Sequence, residues 1–184
     1  RYSQNYFLEE CEGYVDYLST CGEQISSRLA KVVSLLNIIP GMRVLDVGSG
    51  RGETLLQCAR MGACSIGIDY SPNALSLAGF AIRQMKDRST VDFLPSVARS
   101  DAKFLPFASD SFDRVVMSDI VEHLHDWELR LALQEVHRIL RPSGCLIIHT
   151  MPNLWYYHFG YPVYRYFQYL RGLKIPKDPK SRWQ

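Results

Sequence analysis

The sequence predicts an α/β fold: a doubly wound, mainly parallel sheet with helices on both faces. Candidate strands alternate with candidate helices along the chain, at spacings that suit β-α-β crossovers. The strand candidates are nearly continuous apolar runs, as in parallel strands that are buried on both faces. The first strand also leads directly into a turn with three glycines. In such a sheet, ligands bind at the carboxyl ends of the strands.

The first predicted elements are a helix and a strand. Apolar residues recur at i, i+4, i+7 and i+11, which is the spacing of an amphipathic helix. They are Ile25, Leu29, Val32 and Leu36. This helix stops at the breaker pair Pro40-Gly41. The β-branched run Arg43–Val47 predicts the first strand, and Glu53–Met61 predicts the helix that follows the glycines.

Two further strands follow. Ser65–Asp69 predicts the second strand, and the helix after it has Ser71 as its N-cap and Pro72 at its first position. Val97–Ser100 predicts the third strand, which ends before Asp101.

The last two predicted strands flank one helix. Phe112–Asp119 follows a turn-rich segment and predicts the fourth strand. Asp126 caps the next helix, Arg141–Gly144 terminates it, and Cys145–Met151 predicts the fifth strand. One face of that helix carries Leu129, Val136 and Leu140.

The composition is that of one globular domain, with 184 residues, 47% of them apolar and 22% charged. No apolar run approaches the roughly 18 residues of a membrane span, and no signal peptide is recognisable. The five cysteines form no C-x-x-C pair. This disfavours a disulfide framework and a metal site, and it favours the cytoplasm. Because the chain begins with Arg1, we expect it to be a piece of a longer protein.

We expect three segments: an N-terminal helical segment (1–40), an α/β core (41–151) and an aromatic, basic segment (152–184). The last segment has six Lys or Arg residues and one acid, so it carries +5, whereas the remainder carries −3. A helix between Pro162 and Gly172 is predicted within it. One face of this helix carries Val163, Tyr166, Phe167 and Leu170.

An acidic residue closes or follows each of the first four strands: Asp46, Asp69, Asp101 and Asp119. Taken singly, each is most simply a helix cap or a solvated acid. The carboxyl ends of parallel strands meet at one edge of the sheet, so all four should lie together beside the glycine turn. This arrangement favours a ligand site.

The turn Gly48–Gly52 reads G-x-G-x-G, whereas a dinucleotide-binding turn needs a third glycine where Glu53 stands. An acid at a helix N-terminus, and Asp46 before the turn, would both repel a pyrophosphate. Asp69 is placed to accept hydrogen bonds from ribose hydroxyls. The pattern therefore indicates an adenosine-like ligand with a positive charge.

Five successive motifs resemble those of class I S-adenosylmethionine-dependent methyltransferases. They are VLDVGSGRG, GIDYSPNAL, SDAKFLPF, FDRVVMSDIVEHL and EVHRILRPSGCLIIHTMPN. The resemblance covers Val44 to Asn153 and is closest to the group that modifies small molecules, lipids or glycans. It implies a Rossmann-like methyltransferase fold, for whose last two strands the chain offers no candidates. Ser143 stands where that group usually has glycine.

The resemblance also implies how the cofactor, S-adenosylmethionine, would be held. The backbone of the turn would approach its methionine and ribose parts. The turn residues concerned are Gly48, Ser49, Gly50 and Gly52. Asp46 would orient the amino group of the methionine part, Asp69 would hold the ribose hydroxyls, and Tyr70 would pack against adenine. Arg51 is expected to be solvated.

Strands three and four would complete the cofactor site by the same resemblance. Asp101 would accept a hydrogen bond from the adenine amino group, and the backbone of Ala102 would meet the ring. Ser118 and Asp119 would present backbone groups beside the sulfonium. The product left after transfer would be S-adenosylhomocysteine.

Methyl transfer is a direct displacement by a substrate nucleophile, for which the protein chiefly supplies alignment. A base is needed only where the nucleophile must lose a proton. His123 is the candidate base, although it could equally pack beneath the cofactor. His149 could line the acceptor pocket or bond a neighbouring strand, and Tyr156 and Arg165 are further candidates for acceptor binding. His125 is expected to be a surface residue.

The acceptor is expected to be a small molecule, lipid or glycan. Methyltransferases that act on exocyclic amines of bases share a [DNSY]-P-P-[YFW] motif where this chain has SDIVEH, so nucleic acid is disfavoured.

The aromatic and basic residues 155–183 allow three interpretations. They could form a lid over the acceptor, or an interface in a homo-oligomer or with a further part of the chain. They could also contact a membrane surface or single-stranded nucleic acid. Two rival functions are an NAD-dependent oxidoreductase, disfavoured by Glu53 and Asp46, and a non-catalytic cofactor-binding or scaffold protein on the same fold.

Overall fold

A computed structural model describes Phe7 and residues 13–88, 91–150 and 155–176. The chain divides into two compact units, residues 1–149 and residues 150–184. The predicted segment boundaries after residues 40 and 151 remain predictions.

The described residues of the first unit form five α-helices and five strands. In chain order they are α1 (Tyr14–Thr20), α2 (Ser27–Leu35), β1 (Arg43–Val47), α3 (Glu53–Arg60), β2 (Cys64–Asp69), α4 (Pro72–Arg88), β3 (Ser96–Arg99), β4 (Phe112–Ser118), α5 (Asp126–Ile139) and β5 (Leu140–His149). A short 3₁₀ helix, Val121–His123, lies between β4 and α5.

The five strands form one parallel sheet in the order β3-β2-β1-β4-β5. The chain moves outward from β1 to β3 and then returns to the other side of β1 for β4 and β5. The strand order therefore reverses between β1 and β4, and ligands of open α/β sheets bind at such a point, outside the carboxyl ends of the strands. The predicted fold class is confirmed.

Helices cover both faces of the sheet, as β1 shows. Leu45 and Val47 pack in one apolar cluster with Val136 of α5. Val44 packs in another with Val32 of α2. Successive residues of a strand point to opposite faces, so both faces of β1 are buried. This explains why β1 is a nearly continuous run of apolar residues and does not alternate between apolar and polar residues.

Serine side chains cap the starts of two helices. The Ser26 hydroxyl accepts a hydrogen bond from the Leu29 N–H at 3.3 Å at the start of α2. The Ser71 hydroxyl accepts one from the Ala74 N–H at 3.4 Å, and α4 begins with Pro72, as predicted. Helix α1 was not predicted.

The predicted cap of α5 is wrong by one residue. The N-cap is His125 and not Asp126, which is the first helical residue. The Glu128 carboxylate accepts a hydrogen bond from the His125 N–H at 3.1 Å. An acid at the third helical position characteristically makes this contact to the N-cap backbone, so the helix begins one residue earlier than expected.

The predicted boundary between α5 and β5 is also wrong. Arg141–Gly144 does not end the helix but lies within β5, which begins at Leu140. Phe112 of β4 pairs with Leu140, and Arg114 pairs with Cys145. Five residues of β5 thus span the length of two in β4, so the segment is a bulge. The predicted end of this strand at Met151 lies outside the described residues.

The second unit is described over residues 150 and 155–176. A π-helical turn, Tyr156–Gly160, continues into α6 (Tyr161–Leu170). Tyr161 is buried, and its hydroxyl donates a hydrogen bond to the Pro176 carbonyl at 2.8 Å. Over the described parts of both units, no helix is both long and apolar enough to cross a bilayer.

Candidate functional site

The glycine turn lies at the switch point between β1 and β4. Gly48, Gly50 and Gly52 have φ angles of 77°, 52° and 84°, in the left-handed region that favours glycine. The N–H groups of Gly48 and Ser49 donate to the Ile68 carbonyl at 2.8 and 2.9 Å. These bonds hold the turn against the end of β2.

The turn is packed on some sides and open on another. A Cβ at Gly48 would lie 2.9 Å from Ile120 Cδ1, and one at Gly52 would lie 3.0 Å from Ala78 Cβ. A Cβ at Gly50 would meet no atom within 4 Å. A ligand therefore has room to approach the main chain at Gly50.

Gly67 of β2 also shapes the turn, and it was not among the residues predicted for the site. A Cβ at this position would lie 2.5 Å from Leu55 Cδ1 and 2.7 Å from Ser49 Oγ. Ser49 therefore packs directly on the strand. A glycine inside an apolar strand often marks such a close approach and was the available signal.

Asp46, near the end of β1, is buried with 3% of its surface exposed. Burial raises the pKa of Asp46 to about 7, and the neighbouring Asp69 carboxylate adds to the rise. No cation or hydrogen bond from the described residues lowers this pKa. A cationic ligand group would supply the missing stabilisation.

Two buried serine hydroxyls, one in the glycine turn and one at the end of β4, also lack hydrogen-bond partners among the described residues. Among the described residues, neither Ser49 Oγ nor Ser118 Oγ makes a hydrogen bond. Ser118 ends β4, next to the glycine turn that follows β1. Buried polar groups are usually satisfied, so these hydroxyls and Asp46 fit a polar ligand with a positive charge.

Asp69 ties the turn to the start of α4. Its carboxylate accepts hydrogen bonds from the Gly50 N–H at 2.9 Å and the Ser71 N–H at 2.7 Å. Burial raises the pKa of Asp69, and these two bonds oppose the rise. Each carboxylate oxygen can accept a further hydrogen bond, so contact with ribose hydroxyls stays compatible with this structural role.

The residues predicted to meet adenine follow β2 and β3. The Tyr70 side chain is 68% exposed, and the Arg99 guanidinium lies 5.4 Å from the centre of its ring. Asp101 accepts a hydrogen bond from the Lys103 N–H at 3.0 Å and lies 3.1 Å from Lys103 Nζ. Ala102 is buried in the apolar cluster beneath.

Asp119 joins a cluster of three polar side chains after β4. Its φ angle is 56°. One carboxylate oxygen lies 2.5 Å from Arg28 Nη1, and the other lies 3.0 Å from His149 Nδ1. The same Arg28 nitrogen is 3.2 Å from His149 Nδ1. Sequence reasoning missed Arg28, because the helix pattern records only its apolar positions.

The remaining predicted residues are spread over both units. His123 ends the 3₁₀ helix and is exposed, and the N-cap His125 is exposed as well. Tyr156 and Arg165 belong to the second unit, on the π-helical turn and α6. In the part of the chain that is described, no group of three or more His, Cys, Asp or Glu residues is arranged to hold a metal ion.

The expectation that Arg51 is solvated is wrong. Arg51 is 5% exposed, and its Nε donates to Glu53 Oε2 at 2.9 Å. It also donates to the Phe7 carbonyl at 2.8 Å and lies over the Tyr17 ring at 4.9 Å. Because Arg51 compensates the Glu53 charge, Glu53 repels a pyrophosphate less strongly than the sequence alone suggests. Asp46 still disfavours a pyrophosphate at this turn.

A family pattern and two named relatives each match more than half of this chain. The pattern of a family described as "Methyltransferase domain" matches residues 45–148. Methyltransferase GfsG of Streptomyces halstedii is 34% identical over 137 residues, which cover 73% of this chain and 45% of that protein. The demethylmenaquinone methyltransferase of Renibacterium salmoninarum is 32% identical, over 64% of this chain and 44% of that protein. The chain thus spans about half the length of these relatives.

Among solved structures, one titled a SAM-dependent methyltransferase from Aquifex aeolicus aligns with a TM-score of 0.61. The alignment covers 80% of this chain and 72% of that one, at 20% identity. It supports the fold assigned above.

Proposed function

Because the chain belongs to the methyltransferase domain family, we propose that it is an S-adenosylmethionine-dependent methyltransferase. The observation that carries the proposal is Asp46, a buried and uncompensated carboxyl beside an open glycine turn. This combination suits a ligand that joins a cationic amino acid part to an adenosine. When bound, the cofactor would supply an activated methyl group, and S-adenosylhomocysteine would be released.

The cofactor-binding roles form part of the proposal. Asp46 orients the amino group, and the main chain of residues 48–52 lies along the methionine and ribose parts. Asp69 accepts hydrogen bonds from the ribose hydroxyls, using the lone pairs that the N–H groups of Gly50 and Ser71 leave free.

The adenine ring is proposed to contact residues after β2 and β3. Tyr70 packs against adenine, and Asp101 accepts a hydrogen bond from the adenine amino group. Ala102, Ser118 and Asp119 contribute backbone contacts.

For an acceptor that must lose a proton, two histidines are candidate bases. His123 is the one proposed from the sequence. His149 has an additional argument, because Asp119 lies 3.0 Å from its Nδ1. A carboxylate at one ring nitrogen orients the imidazole and leaves the other nitrogen for a substrate. The contact with Asp119 favours His149.

The acceptor is proposed to be a small molecule, a lipid or a glycan, with Tyr156 and Arg165 contributing to its binding. A named relative acts on demethylmenaquinone, which favours a ring compound with an apolar chain as the first acceptor to test. We further propose a cytoplasmic location, and a homo-oligomer as an alternative role for the aromatic segment. An NAD-dependent oxidoreductase is disfavoured by Asp46, and a scaffold protein would bind the cofactor without turnover.

The experiment is a methyl transfer assay with methyl-labelled S-adenosylmethionine and a panel of naphthoquinols, phenols and simple amines. We expect label in one acceptor class and stoichiometric S-adenosylhomocysteine. His149→Gln should lower kcat about 10²-fold or more, whereas the exposed His137→Gln should leave kcat unchanged. A large loss in His123→Gln alone would assign the base to His123. Cofactor binding without transfer to any panel member would favour the scaffold function.

A further inference from the structure

One face of residues 155–170 is apolar and exposed. Side chains at i, i+4, i+8, i+11 and i+15 lie along it, which is the spacing of one helix face. They are Trp155, Phe159, Val163, Tyr166 and Leu170, each between 56% and 71% exposed. The ring centres of Trp155 and Phe159 are 5.0 Å apart, so the stripe continues across the π-helical turn.

The charged side chains of residues 155–176 are all basic. Residues 155–176 contain Arg165, Arg171 and Lys174 and no Asp or Glu. Arg165 and Lys174 also line an open groove of about 610 Å³ together with Tyr169 and Leu173. The cationic groups therefore border apolar and aromatic side chains.

We propose that residues 155–176 bind the surface of an anionic lipid bilayer. Helices with a Trp, Phe and Leu face and Lys or Arg beside it lie in the membrane interface, with the apolar side chains at the acyl boundary. The groove places Arg165 and Lys174 where headgroup phosphates would be bound. With ten residues, α6 is far too short to span a bilayer, so the proposed contact is limited to the bilayer surface.

A second copy of the chain fits this face less well. Pairing two such faces would bring three cations from each copy together with no acid of either segment between them. An anionic surface instead matches both the charge and the apolar stripe. The inference goes beyond the proposed methyl transfer and does not depend on it.

The test is co-sedimentation of the protein with vesicles, without cofactor or acceptor. We expect binding to phosphatidylcholine vesicles that contain about 30% phosphatidylglycerol, and at least tenfold weaker binding to pure phosphatidylcholine. Salt at about 0.5 M should reduce the binding strongly, because it screens the charges. Equal binding to both vesicle types, or binding to neither, would overturn the proposal.

Matched variants separate the two contributions. Phe159→Glu combined with Leu170→Glu should weaken vesicle binding at least tenfold, whereas Leu35→Glu, at a half-exposed position of α2, should leave it unchanged. Arg171→Gln and Lys174→Gln should each weaken binding about fivefold. Circular dichroism checks that each variant is folded. A concentration-dependent dimer that Phe159→Glu disrupts, without vesicle binding, would assign this face to a second copy instead.

Discussion

Asp46 is a buried carboxyl that no described neighbour compensates. The charge of Asp69 adds to the rise of its pKa, and the buried hydroxyls of Ser49 and Ser118 have no partner among the described residues. Such an arrangement costs stability in the folded protein and becomes favourable once a cation is bound. Strained or unsatisfied groups of this kind concentrate at ligand sites.

The first prediction concerns the pH dependence of stability. The pKa of Asp46 is raised from 3.8 to about 7, so the folded state binds its proton more tightly than the unfolded state. The contribution of Asp46 to the free energy of unfolding is therefore greatest below about pH 4, falls as the pH rises to about 7, and is constant above that. Asp46→Asn should remove this fall, which is at most about 4 kcal/mol.

Urea unfolding of both proteins at several pH values measures the effect. The difference in free energy of unfolding between the unchanged protein and Asp46→Asn isolates the effect of Asp46. Asp113 and Glu135 have lowered pKa values, so they make the protein more stable as the pH rises, but they contribute equally to both proteins. A difference between the two proteins that does not vary with pH would contradict the account.

For single residues, the sequence predicted the glycines of the turn and the acids at the strand ends better than the buried charged side chains. The three glycines of the turn adopt positive φ angles that favour glycine, and Asp69 ends β2 as the sequence predicted. Arg51 and Arg28 could not be placed, because their partners are distant or hidden from local patterns. Arg51 contacts Phe7 and Tyr17, and Arg28 meets Asp119 91 residues further along the chain.

Arg51 connects the glycine turn with α1 and α3. Its guanidinium pairs with Glu53 of α3 and lies over Tyr17 of α1, whose hydroxyl donates to the Leu77 carbonyl in α4. Removing one partner of a buried ion pair leaves an uncompensated charge. The pair therefore holds the helices that surround the turn.

The second prediction tests this pair. Arg51→Met should lower the free energy of unfolding by about 3–5 kcal/mol, because Glu53 stays buried without its partner. Replacing Glu53 with Leu as well should recover most of the loss. Urea unfolding measures both changes.

Arg60→Met is the matched control, because Arg60 pairs with Glu23 at 3.4 Å on a partly exposed surface. It should cost no more than about 1 kcal/mol. Equal losses in Arg51→Met and Arg60→Met would show that the buried pair has no special role.

The error at the start of β5 has a physical cause that the local sequence does not show. Proline and glycine at Arg141–Gly144 suggested a turn. The N–H groups of Asp110 and Ser111 donate to the carbonyls of Arg138 and Ile139, so the chain is already paired alongside the sheet at that point. The proline and glycine are then accommodated in a bulge of an outer strand.

At the scale of the whole molecule, strand order determines where a ligand can bind. The sequence predicted alternating strands and helices, and the reversal between β1 and β4 places the glycine turn beside Ser118 and Asp119. The acceptor could not be predicted as well as the donor, since the chain spans about half the length of its relatives. Its aromatic segment is a separate unit.

The central claim is that the switch-point site binds S-adenosylmethionine through the glycine turn. Calorimetric titration of the protein with S-adenosylmethionine, S-adenosylhomocysteine and NAD tests it most directly. We expect dissociation constants on the order of micromolar for the first two ligands and no binding of NAD. Gly67→Ala, whose Cβ would lie 2.7 Å from Ser49 Oγ, should weaken binding at least tenfold, and Gly79→Ala in α4, with 3.6 Å of room, should not. Binding of NAD alone, or equal affinities in the two glycine variants, would contradict the account.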